Sequence, residues 1–313
     1  MKKKLASASG AAPGAPLEKT PKKRRMNRYL PMFCAFIAPA FLLYTLFFFV
    51  PLMMGYGYSL TDYDGYTRMN FVGLQNFIRI LGDADFYGAV GRTIRYTLIN
   101  LPFKVALPLL IAILMTSKAV KFKTIPRACI YVPVLISALV VGVTINWMFG
   151  QEYGLVNFLI KLSGGKPLEW ALNPALATTV ISVATNWARC GFFMVIFIGA
   201  LNNIPNEIKE AAAIDGANGW QTFWRVTLPM INPTTFLVLL LTTNELLKEY
   251  AIIQGITLGG PGVATTFIVQ YIYQKGFSAQ QNGYASAASV LVLILFLGVA
   301  AVQAKVTKGG EID

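Results

Sequence analysis

The chain has 313 residues, 55% of them hydrophobic, and its 27 Lys and Arg outnumber its 14 Asp and Glu, for a formal net charge of +13. Such a composition argues against a soluble domain around one buried core and points to a membrane protein. The absence of histidine removes the commonest metal ligand and any imidazole relay, and the three cysteines fall in apolar runs as small hydrophobes, so neither metal chemistry nor a disulfide framework is expected.

The chain opens with MKKKLASASGAAPGAPLEKTPKKRRMNRYL. Residues 1–29 are basic and rich in small residues, too poor in apolar surface to order themselves, and are expected to form a disordered cytoplasmic tail beside anionic lipid. A cleaved signal peptide fits poorly, because the apolar run that follows is too long. Six runs near the roughly 20 residues needed to cross hydrocarbon as helix then follow, at 30–54, 96–116, 128–149, 174–201, 236–256 and 284–302. Pro102, Pro108 and Pro133 are expected to kink the second and third.

Orientation follows from the cations, which resist translocation near span ends. With the N-terminus inside, seventeen Lys and Arg lie in cytoplasmic segments, among them Lys118, Lys121, Lys123 and Arg127, against seven outside. An N-in, C-in arrangement is therefore predicted. The charge is accounted for by topology, and no nucleic-acid partner is implied. Outer loops are expected at about 55–94, 150–173 and 257–283, a cytoplasmic loop at about 203–232 and a short tail at 305–313.

In the second outer loop, LSGGK (162–166) imitates the start of an ATPase signature. No Walker motif precedes it, and Gly165-Lys166 is followed by Pro167 rather than Ser or Thr, so it reads as a turn.

The cytoplasmic loop carries KEAAAIDGANGWQTFWRVTLPMINP (209–233). Glu207 and Glu210 suit a positive helix start, and the alanine run favours a short helix that Gly216 ends by adopting a left-handed backbone. Trp220, Phe223, Trp224 and Thr227, spaced by three and four, form the face of a second helix that Pro229 ends. That aromatic face needs cover, either from the bundle or from another subunit.

Glu210-Ala211-Ala212, Gly216 and Val226-Thr227-Leu228-Pro229 resemble the EAA signature of inner-membrane permeases of ATP-binding-cassette importers, departing only at Val226, where the family usually has Ile. FVGLQNFIRIL (71–81), NNIPNEIKEAAAIDGA, TLGGPGVATTFIVQYIYQKGF (257–277) and GYASAASVL are similar to carbohydrate-importer permeases of the maltose-transporter type. The resemblance implies an all-α membrane protein with the type I importer permease fold, its permease domain at 30–304 in the cytoplasmic membrane of a prokaryote. Implied partners are a second permease subunit, two ATPase subunits that bind ATP and Mg, and an extracytoplasmic sugar-binding protein. No cofactor or metal in this chain is implied, nor is this chain an enzyme. Glu210, Ala211, Ala212, Asp215, Gly216, Ala217, Trp220, Leu228 and Pro229 then become a coupling surface for the ATPase.

Lys104, Arg189, Glu245, Lys248 and Glu249 are ionisable residues inside spans, which by default face an interior or a wet cavity. Glu245, Lys248 and Glu249 have the spacing of a local helical ion pair with one acid left over. The family resemblance instead places Trp187, Arg189, Cys190, Glu245, Leu246 and Glu249 about a midplane sugar site. A carboxylate accepts hydrogen bonds from sugar hydroxyls, an indole covers an apolar face, and Arg189 can hold an acidic sugar through a bidentate pair. Leu246 and Glu249 replace asparagines common in such permeases, which weakens maltose as the substrate. The outer stretch TTFIVQYIYQKGF places Phe267, Ile268, Tyr271 and Ile272 at helical spacing, either beneath the binding protein or as an interfacial belt. A second reading is an ion-coupled secondary sugar transporter using Glu245 and Glu249, although no internal repeat supports it.

Overall fold

The computed structural model describes residues 22–117 and 120–306, with side chains from residue 32 onward. The expected tail over residues 1–21, Lys118, Lys308 and the C-terminal residues 307–313 lie outside the described residues. The chain divides into two units, residues 1–54 and 55–313. In the first, α1 (Lys22–Tyr44) passes through a π turn (Thr45–Phe49) into α2 (Val50–Ser59), which crosses the boundary between the units. Helix therefore already covers residues 22–29, part of the stretch expected to be disordered: KKRRMNRYL contains good helix formers and is continuous with the apolar run it precedes.

The second unit continues with α3 (Gln75–Leu81), α4 (Ala84–Thr116), α5 (Thr124–Tyr131), α6 (Ala138–Met148), α7 (Leu155–Leu162) and α8 (Pro174–Asn202). The short α9 (Asn206–Ile214), α10 (Gly219–Thr222) and α11 (Leu228–Met230) follow. It closes with α12 (Asn232–Leu247), α13 (Ala251–Ile256), α14 (Ile268–Tyr273) and α15 (Asn282–Val306). Among the described residues the one extended pairing is an isolated antiparallel bridge between Thr61 and Phe71.

Four helical segments are long and apolar enough to cross a membrane: Met32–Ser59, Ala84–Thr116, Pro174–Asn202 and Asn282–Val306. Two bent pairs bring the number to as many as six. In the first, Thr124–Leu135 meets Ala138–Met148 at 102°. Pro133 sits there in a 3-10 turn (Val132–Leu135), and its missing N–H weakens the helix at the bend. Pro102 and Pro108, by contrast, lie within the uninterrupted α4. In the second pair, Gly219–Met230 meets Asn232–Leu247 at 70°. The fifth apolar run does not continue as one helix, because α12 ends at Leu247 and three residues separate it from α13.

Side-chain caps set several starts. Asp83 Oδ1 accepts from the backbone N–H groups of Asp85 and Phe86 ahead of α4, and Asn173 does the same for Ala175 and Leu176 ahead of α8, each satisfying donors a helix start leaves open. At the other end of α4, Arg127 and Lys123 donate to the carbonyls of Met115 and Thr116, where cations suit the negative helix end. LSGGK is a helix stop: Gly164 has φ +79, and Gly164 and Gly165 donate to the carbonyls of Lys161 and Ile160, a Schellman pattern.

Three clusters form the core: Tyr96, Ile181, Leu246 and Phe267 with their neighbours; Met194, Phe197, Ile231 and Val238; and Ile80, Phe86, Ile268, Tyr271 and Tyr284. Lipid tails are as apolar as these side chains, so close contact rather than transfer from water holds the spans together. Gly142 and Gly255 let α6 and α13 touch backbone to backbone. A Cβ on Gly142 would lie 2.6 Å from the Ile252 carbonyl oxygen, and one on Gly255 would lie 2.7 Å from that of Leu139.

Candidate functional site

The charged residues meet where α12 stops. Glu245, in its last turn, places Oε1 2.7 Å from Arg189 Nε of α8 and Oε2 3.1 Å from Lys104 Nζ of α4. Lys104 is only 2% exposed, whereas Arg189 is 42% exposed. Two cations on one carboxylate offset the cost of removing these charges from water better than isolated groups can. The local pairing of Glu245 with Lys248 is overturned: Lys248 caps the end of α12 and is exposed, with no ion pair among the described residues. Glu249 lies beyond the helix and accepts a long hydrogen bond, 3.4 Å, from the Ile252 N–H at the start of α13.

An open cavity of about 680 Å³ lies beside this cluster, its wall including Arg189, Asn244, Glu245, Lys248, Glu249 and Tyr250. Leu246 does not reach it. That side chain is fully buried in the core, as is Leu247 beside it. Trp187 and Cys190 are also displaced. They line a different groove of about 700 Å³, with Asn100, Phe103, Cys129 and Asn186. Positions 187 and 189 are about 200° apart around a helix, so α8 presents them to opposite sides. In that groove Asn186 donates to Asn100, which donates to the Tyr96 carbonyl.

The helical loop folds as two short helices about a glycine. Gly216 has φ +79 and donates to the Ala213 carbonyl, while Ala217 donates to that of Ala212, the Schellman stop the sequence predicts. Asn218 then starts α10 through a capping box with Gln221. Pro229 does not end the second helix. A π turn (Phe223–Thr227), closed by the Leu228 N–H on the Phe223 carbonyl, precedes Pro229, and the helix runs on to Met230.

Phe223 and Leu228 pack against the core, whereas Trp220 and Trp224 turn outward, 70% and 49% exposed, with ring centroids 5.4 Å apart. The bundle thus covers only part of the aromatic face. Glu210, Ala211, Asp215, Gly216 and Pro229 are exposed, and Ala212, Ala217 and Leu228 half-buried. Ile214 beside them is exposed as well.

Phe267, Ile268 and Tyr271 are buried, so one face of α14 is internal, while Tyr273 on the same helix stays open at 40% exposure. The reason is a network the sequence gives no sign of. The hydroxyls of Tyr271 and Tyr284 donate to Asp83 Oδ2 at 2.6 and 2.7 Å, and Lys275 Nζ stands 3.7 Å from the same oxygen. Asn244 and Tyr250, on the cavity wall, are likewise unmarked in the sequence. Among the described residues, no group of three or more metal-ligating acids or cysteines is present.

Residues 85–308 match the family model described as binding-protein-dependent transport system inner membrane component. The chain is 33% identical over 280 residues to the multiple sugar-binding transport system permease protein MsmF of Streptococcus mutans, covering 88% of this chain and 95% of that one. It is 31% identical over 278 residues to the arabinooligosaccharides transport system permease protein AraP of Bacillus subtilis, covering 87% of each. A chain of a bacterial ABC transporter involved in importing the acidic polysaccharide alginate superposes with a TM-score of 0.80 at 21% identity, over 91% of this chain and 98% of that one.

Proposed function

Because the chain belongs to the family of binding-protein-dependent transport system inner membrane components, we propose that it is the permease subunit of an ATP-driven importer, moving a sugar or oligosaccharide delivered by an extracytoplasmic binding protein. Relatives named for arabinooligosaccharide and multiple-sugar transport support the saccharide. In this reading the chain is a multi-pass protein of the inner membrane and carries out no hydrolysis. ATP and Mg act on two separate ATPase subunits, and a second permease completes the path.

One observation carries the proposal: a helix, glycine turn and helix with exposed Trp220 and Trp224 on its outer side. Large exposed aromatics on an ordered loop mark a surface built for a partner. Movement of an ATPase against it would pass through Phe223 and Leu228 into the core cluster they touch, and so into α4 and α8. Glu210, Ala211 and Asp215 would lie at the contact, with Gly216 setting the angle between the helices.

The test is Gly216→Trp in the complete importer. No atom stands within 4 Å of a Cβ at Gly216, so the substitution starts into open space on the loop, while the left-handed backbone adds about 1 kcal/mol of strain. Uptake by reconstituted importer is expected to fall at least tenfold, with ATPase subunits lost from the purified complex and sugar capture by the binding protein unchanged. Normal uptake and assembly would refute coupling through this loop. Uptake abolished by an uncoupler but insensitive to ATP depletion would favour an ion-coupled transporter, a reading weakened by the engagement of Glu245 with two cations.

A further inference from the structure

Two cavities run together along the seam between α4 and α8. The first, of about 470 Å³, is lined by Arg92, Arg95, Tyr96, Thr178 and Thr179 among others, and no acid stands on its wall. The second is the groove of about 700 Å³ that holds Trp187, and the two share Ile99, Thr179 and Ser182, so the space is continuous. Beyond the arginines the wall turns apolar. Ile99, Phe103 and Leu107, spaced by four on α4, line it with Val183 and Trp187 of α8, and all five are exposed. The two amides of the groove, Asn100 and Asn186, are spent on each other and on the carbonyls of Tyr96 and Ser182.

The arginines stand at a telling depth. Arg95 precedes the end of α4 at Thr116 by 21 residues, about 30 Å at the rise of a helix, which is the thickness of the hydrocarbon core. Arg95 is exposed and makes no hydrogen bond or ion pair among the described residues. Arg92 is anchored by its Nε on the Thr266 carbonyl at 3.0 Å. Asp85, the one acid of α4, forms no ion pair with either.

We infer that this seam binds an anionic phospholipid, phosphatidylglycerol in type, from the leaflet on the Ala84 side of α4, which is the outer leaflet in the importer reading. Its phosphate pairs with Arg92 and Arg95, and one acyl chain lies in the groove. A guanidinium holds a phosphate through parallel hydrogen bonds, and each cation near an anionic lipid adds to the attraction. Thr178 and Thr179 donate to the carbonyls of Pro174 and Ala175, so their oxygens keep lone pairs for the hydroxyls of a glycerol headgroup. From Ile99 to Leu107 the apolar strip is about 12 Å long, within the roughly 15 Å of one leaflet. A saccharide acid would pair with the arginines and leave the strip uncovered. A span of a partner subunit would cover the strip and need an acid of its own at the boundary. A phospholipid carries both parts.

The experiment uses the full-length protein, extracted with the subunits that accompany it, and reads bound lipid by native mass spectrometry against added phosphatidylglycerol and phosphatidylcholine of equal chain length. The wild type is expected to hold one phosphatidylglycerol per copy of this chain with about tenfold preference over phosphatidylcholine. Arg95→Gln, at an exposed position without a partner, should reduce that preference at least threefold, and Arg95→Lys should restore most of it. Short-chain, water-soluble phosphatidylglycerol should bind about tenfold more weakly than the long-chain form. In intact membranes, phosphatidylglycerol with a photoactivatable acyl chain should label α4 between residues 99 and 111 and α8 at residues 183–187. Equal affinity for the two headgroups, or a preference untouched by Arg95→Gln, would overturn the inference. So would equal binding of short and long chains, or labelling that misses the seam because a partner span fills it.

Discussion

Asp83 caps α4 with one carboxylate oxygen and binds α14 and α15 with the other, so one side chain joins three elements. Burial opposes its ionisation, but the hydroxyls of Tyr271 and Tyr284, the Asp85 N–H and the nearby Lys275 ammonium outweigh that and hold the carboxyl at about 2, against an ordinary 3.8. A depressed acid stabilises the fold fully above its ordinary value and loses that contribution as pH falls through its folded value. Asp83→Asn is therefore expected to lower the melting temperature near neutral pH by about 3 °C, after allowance for solvent screening. The gap between variant and wild type should close between about pH 4 and pH 2. A pH series of thermal melts in detergent checks this, and a gap that persisted at pH 2 would mean that the charge is not what Asp83 contributes.

Elements in this protein are positioned by what is missing as much as by what is present. Where α6 crosses α13, two glycines replace side chains, and a Cβ at either would strike backbone, which cannot swing aside. Gly142→Val should cost more than about 2 kcal/mol. Gly199, in α8, has no atom within 4 Å of the place a Cβ would take, and Gly199→Ala should be neutral or stabilising by up to about 1 kcal/mol, since alanine is the better helix former. Chemical unfolding of the two variants side by side tests the crossing, and equal stabilities would refute it. The polar device near this crossing has the same logic: Asn146 of α6 donates to the Ile256 carbonyl at the end of α13, occupying an acceptor that a short buried helix leaves unpaired.

At the scale of the molecule, Glu245 ties α12 to both α4 and α8 through two cations. Glu245→Gln leaves the Lys104 ammonium buried without its counter-ion, which is expected to cost about 3–5 kcal/mol. Adding Lys104→Met should recover most of the loss, because the pair then leaves no buried charge from α4. Thermal unfolding of the single and double variants separates the two cases. A double variant no more stable than Glu245→Gln would show that the carboxylate acts through Arg189 alone.

The sequence by itself determined what depends on neighbours along the chain. Apolar runs marked the candidate spans, though not the break after Leu247, an alanine run closed by Gly216 gave the helical turn, and Gly164 and Gly165 turned LSGGK into a helix stop, because each rests on backbone preferences that act within a few residues. Only the tertiary structure decided which side of each helix was used. It took Glu245 away from Lys248 and gave it to Lys104 and Arg189, buried Leu246, and set Trp187 and Arg189 on opposite sides of α8. In a span, both sides of a helix can be apolar, so periodicity no longer distinguishes core from lipid. The partners of a buried charge come from spans far away in sequence, and no local pattern records them.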